Sequence, residues 1–69
     1  MRKSKFREVL ELFLEKTKLP LSVFGKDAVN DPAIVIRVRN GRECREATQE
    51  RVLDFMRNYA KDKGIEWEY

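Results

Sequence analysis

Ile34-Val35-Ile36-Arg37-Val38-Arg39-Asn40-Gly41-Arg42-Glu43-Cys44-Arg45 is the stretch on which the fold of this chain turns. Ile34, Ile36 and Val38 alternate with Val35, Arg37 and Arg39, the period-2 pattern of a half-buried strand. Asn40-Gly41 follows, the pair that best tolerates the positive φ angles of a type I′ turn. Read outward from that pair, the stretch predicts a β-hairpin with an arginine-rich outer face. The returning strand, residues 42–47, has Cys44 and Ala47 as its only apolar residues and is expected at a sheet edge, where charge guards against aggregation. In a two-residue turn Arg39 faces Arg42 and Arg37 faces Cys44. Like charges directly opposite cost stability, a cost that splaying into solvent, a longer loop or a bound anion would relieve.

The flanking segments supply helices to cover that hairpin. Phe6, Val9, Leu10, Phe13 and Leu14 recur at i, i+3, i+4, i+7 and i+8, which predicts an amphipathic helix over residues 4–18. Ser4 is its expected cap, and Pro20 stops it. Leu12 falls off the stripe and is read as widening the apolar face rather than touching a partner. Residues 21–24, a short apolar run between Pro20 and Gly25, are expected to form a strand, and residues 25–32 a loop rich in turn formers. That loop lacks the repeated glycines that let backbone N–H groups converge on a phosphate. A second helix is predicted over residues 49–63, capped by Thr48 and closed by Gly64, with Val52, Phe55, Met56 and Tyr59 as its core stripe. Ile65, Trp67 and Tyr69 alternate with Glu66 and Glu68, the pattern of a terminal strand. The expected fold is α+β: a single domain, residues 1–69, built as a two-layer sandwich in the order helix-strand-strand-strand-helix-strand.

In outline the helix, three-strand, helix order is similar to a double-stranded-RNA-binding domain. A three-stranded sheet backed by one helix is similar to the DNA-arm-binding domain of tyrosine integrases. The RNA-binding family starts its second helix with lysines, whereas Thr48-Gln49-Glu50-Arg51 offers one cation and one carboxylate, so no residue is carried over.

Composition narrows the function classes. A chain of 69 residues has room for one small core. Charged residues make up 39% of it, well above the roughly 25% of an average domain. That enrichment is expected where ion-pair networks supply stability at high temperature, and equally in any small domain with proportionally more surface. The net charge of +3 and the pI near 9.2 favour acidic partners. The cations form two clusters: Arg2, Lys3, Lys5 and Arg7 near the N-terminus, and Arg37, Arg39, Arg42 and Arg45 on the expected hairpin. Cys44 is the only cysteine, which excludes an internal disulfide and fits a reducing compartment. No apolar run approaches the ~20 residues that span a bilayer, and no signal-peptide core follows the basic start, so the expected location is cytoplasmic.

Catalytic chemistry has little to work with. The chain has no histidine, hence no imidazole base, no Cys-His or Ser-His pair and no common zinc site. Glu43 with Glu46, or Asp27 with Asp31, read as solvated charges, and Cys44 as a half-buried structural residue. No catalytic residue, metal site, cofactor or small-molecule substrate is expected. The expected function is non-enzymatic binding of nucleic acid, DNA or RNA, through Arg37, Arg39, Arg42 and Arg45, helped by Arg2, Lys3, Lys5 and Arg7. The alternative is a protein-interaction module, an adaptor, subunit or inhibitor, acting with a protein partner or as a homodimer.

Overall fold

In a computed structural model that describes the backbone of residues 2–67 and the side chains of residues 6–67, the decisive hexapeptide is a helix. The elements are α1 (Arg2–Thr17), α2 (Leu21–Val29), α3 (Ile34–Arg39) and α4 (Glu46–Lys63), with no strand among the described residues. The α+β sandwich, its hairpin and its likeness to sheet-containing nucleic-acid-binding domains are therefore corrected: the fold is all-helical.

The reason lies in which side chains are buried. Ile34, Val35 and Val38 enter the core while Ile36 stays 52% exposed, the i, i+1, i+4 spacing of a helical face. Four apolar residues in six satisfy either period. β-Branched side chains lean toward a strand, but packing of this face into the core overrides so weak a preference. Asn40-Gly41 ends this helix and turns no hairpin. Gly41 sits at φ 90°, its N–H donates to the Val38 carbonyl at 3.0 Å, and the Arg42 N–H donates to the Arg37 carbonyl at 3.0 Å. This pair of bonds is the Schellman motif, which closes helices with a left-handed glycine.

Residues 21–24 are likewise helical, and the helix runs on through Gly25 to Val29. Leu21, Phe24, Gly25, Ala28 and Val29 are all buried or half-buried, a stripe at i, i+3, i+4, i+7 and i+8. Gly25 lies inside that stripe and terminates nothing. Asn30, left-handed at φ 58°, ends α2, a conformation asparagine tolerates better than most residues. Lys18, at φ 59°, makes the corresponding break after α1, with its N–H on the Leu14 carbonyl at 2.8 Å.

The two long helices occur where the periodicity places them. Ser4 lies inside α1 and is not its cap, and α4 begins at Glu46, before Thr48, with Arg45 in the extended conformation preceding it. Gly64, at φ 70°, closes α4 as expected. Ile65, Glu66 and Trp67 form neither strand nor helix; Glu68 and Tyr69 lie outside the described residues.

Phe13 of α1 is the centre of the core. Fully buried, it meets Phe24 at 5.7 Å, Tyr59 at 5.8 Å and Trp67 at 5.0 Å between ring centroids. Phe55 joins Phe24 at 5.4 Å. Such tilted and edge-on ring pairs add to the apolar burial and tie α1, α2, α4 and the segment after α4 together. Val35 and Val38 seat α3 on the same cluster, so the buried side of α3 is fixed and its other side faces out.

Candidate nucleic-acid interface

Helices α2 and α3 pack on each other across residues 30–33, a helix-turn-helix unit with a four-residue turn. Gly25 sets its closeness. A Cβ at this position would lie 2.2 Å from the Asp31 carbonyl oxygen and 3.0 Å from Ile34 Cγ2, so no larger side chain fits without moving the turn. The Asp31 N–H donates to the Gly25 carbonyl at 3.1 Å, and the Asp31 carbonyl accepts the Ile34 N–H at 3.2 Å. The Asp31 side chain holds the turn as well, its Oδ1 accepting the Ala33 N–H at 3.1 Å. Such a local side-chain bond to the backbone two residues on is a turn device characteristic of aspartate.

With Ile34, Val35 and Val38 turned inward, Ala33, Ile36, Arg37 and Asn40 are exposed. Their i, i+3, i+4, i+7 spacing gathers them into one stripe along α3. The four arginines expected on a hairpin are redistributed accordingly. Arg37, Arg42 and Arg45 line one surface groove with Asp31, Glu43 and Thr48. Arg7 and Arg42 line an adjoining depression with Phe6, Val38 and Gln49. Arg42 and Arg45 make no ion pair with any described residue. Arg39 is drawn away: its Nε and Nη2 donate to Glu11 of α1 at 2.7 and 2.8 Å. That bond holds the Glu11 carboxyl below the usual carboxylate range. The side chains of Arg2, Lys3 and Lys5 lie outside the described residues.

The chain matches no family model, no curated protein and no solved structure.

Two contributors to this surface differ from their reading in the sequence: Asp31, expected as a solvated charge, holds the turn, and Ile36, expected on the packed face with Ile34 and Val38, is the most exposed large apolar side chain on α3. The signal that finds them is the five-residue stripe from Leu21 to Val29. It places a second helix before Asp31 and makes the next six residues the second arm of a helix-turn-helix.

Cys44 borders both depressions, and its half-burial pushes the thiol pKa up, outweighing the nearby Arg37. The thiol form therefore predominates at neutral pH, and alkylation by iodoacetamide at pH 7.5 is expected to run several-fold slower than for an unstructured cysteine peptide. Following the rate against pH checks this, since the inflection should lie above that of the peptide. No group of three or more metal-ligating side chains occurs among the described residues. No helix among them is long and apolar enough to cross a membrane.

Proposed function

We propose that this chain is a non-enzymatic, cytoplasmic duplex-DNA-binding module that presents α3 to the major groove. The observation that carries the reading is the α2–α3 helix-turn-helix, whose second helix turns the uncovered stripe Ala33, Ile36, Arg37, Asn40 to solvent. A helix is about 10–12 Å across with its side chains, a width the roughly 12 Å wide major groove of B-DNA accepts. Arg42 and Arg45 lie in the segment between α3 and α4, and side chains flanking a groove-bound helix reach backbone phosphates. Of the acidic residues around α3, Asp31 holds the turn and pairs with one edge of Arg37, Glu11 binds Arg39, and Glu43 lines the groove beside Arg42 and Arg45. Cys44 as a free thiol suits a reducing compartment.

A protein partner is the second reading, favoured by the exposed Leu12 between Glu8, Glu11 and Glu15 on α1. Fluorescence anisotropy with a labelled 20-base-pair duplex, at two salt concentrations, separates the two. Binding that weakens steeply with salt is expected. The Arg42→Ala/Arg45→Ala variant should bind all duplexes more weakly, with a slope of log affinity against log salt shallower by about 1 per arginine removed. No binding at low salt would sink the reading and turn the search to a partner for the α1 face.

A further inference from the structure

The geometry points to a base-reading pair at the centre of α3: Arg37, oriented by Asp31, reads a guanine, and Ile36 reads the methyl group of an adjacent thymine. This assignment rests on the duplex-DNA reading above and specifies what that surface recognises.

Arg37 is held by one edge only. Asp31 is fixed first, by the bond from the Ala33 N–H to its Oδ1 (3.1 Å). Its Oδ2 then accepts from both terminal nitrogens of Arg37, from Nη1 at 2.6 Å and also from Nη2. A guanidinium carries five N–H donors in a planar fork. With the Nη1–Nη2 edge against Asp31, the Nε–H and the second Nη2–H remain as a parallel pair of donors on the neighbouring edge. No described residue accepts from that edge, and the side chain is 43% exposed. Two parallel donors match the O6 and N7 acceptors that guanine shows in the major groove.

Asp31 thus reduces the orientations open to Arg37 before any ligand arrives, which lowers the ordering cost of a two-bond contact. Arg39, two residues on, cannot serve in the same way, because both donors of its equivalent edge are spent on Glu11. Ile36 stands beside Arg37 on the exposed stripe, 52% exposed in water. A thymine methyl is the apolar feature of the major groove that such a side chain can cover.

The test is a selection with the full chain from a duplex library carrying a 12-base-pair random region, followed by anisotropy on the enriched duplex. A guanine next to a thymine should be enriched. Replacing that guanine by 7-deazaguanine, which lacks N7, should weaken wild-type binding by about ten-fold or more. Replacing the thymine by deoxyuridine, which lacks the methyl, should cost wild type a few-fold and leave Ile36→Ala unaffected. Asp31→Asn keeps an oxygen for the Ala33 N–H but removes the carboxylate from Arg37. It should lower the preference for guanine several-fold while binding to unrelated duplexes is kept or strengthened, a split that a merely structural role would not produce. Duplex binding that enriches no guanine, or is indifferent to 7-deazaguanine, would overturn the base-reading assignment and leave duplex binding standing. Absence of duplex binding would overturn both.

Discussion

Gly25→Ala lowers the melting temperature and Gly25→Val leaves little folded protein: this is the outcome expected where Gly25 of α2 lies against the turn. Alanine is ordinarily favoured over glycine inside a helix by about 1 kcal/mol, so a glycine under no constraint would gain stability on substitution. Here the new Cβ would stand 2.2 Å from the Asp31 carbonyl oxygen, a backbone atom bonded in turn to the Ile34 N–H. The oxygen cannot swing away as a side chain would, so relief requires α2 and the turn to separate. Forced overpacking of this kind costs about 1–3 kcal/mol. In a domain of this size each kcal/mol lowers the melting temperature by about 4–8 °C. Two further methyl groups at the same place make the valine variant worse. Thermal melts followed by circular dichroism read the effect directly, and a Gly25→Ala variant as stable as wild type or more so would contradict the close approach.

Truncation of Phe13 has a larger expected effect still. Its ring is fully buried and meets three other aromatic rings, from α2, α4 and the segment after α4. Removing a buried phenylalanine down to alanine costs about 3–5 kcal/mol. A single core this small rarely supplies more than about 3–5 kcal/mol in total. The Phe13→Ala chain should therefore lose most of its helical signal at 222 nm at 25 °C, whereas Phe13→Leu should retain it with a lowered melting temperature. A Phe13→Ala melt within a few degrees of wild type would mean that the ring cluster does not hold the helices together.

The long helices were legible and the short ones were not, for a reason that lies in sampling. In α1 and α4, helices of 16 and 18 residues, the apolar stripe recurs over about two and a half turns, and Val9, Leu10, Phe13, Leu14, Val52 and Met56 all enter the core as their spacing requires. In α3 six residues hold less than two turns, too few to tell a period of 2 from one of 3.6 when four of them are apolar and β-branched. Asn-Gly is equally ambiguous, since a left-handed glycine serves a type I′ turn and a helix C-terminus alike. Gly25 misled in the opposite direction, for it reads as a breaker where it is a point of contact.

The candidate site was half legible on the same grounds. Arg37, Arg42 and Arg45 do come together. Arg39 does not, because residues two apart share a face of a strand but stand about 200° apart around a helix. Only the second geometry sends Arg39 to Glu11 and leaves Arg37 beside Ile36 on the open face.

The most direct test of the account is a ¹⁵N-HSQC titration of the labelled chain with duplex DNA. Chemical-shift changes are expected to concentrate at Ala33, Ile36, Arg37 and Asn40 and at the amides of Arg42 and Arg45, with Glu8, Leu12 and Glu15 on α1 unmoved. Changes centred on α1, or none at any site, would contradict it.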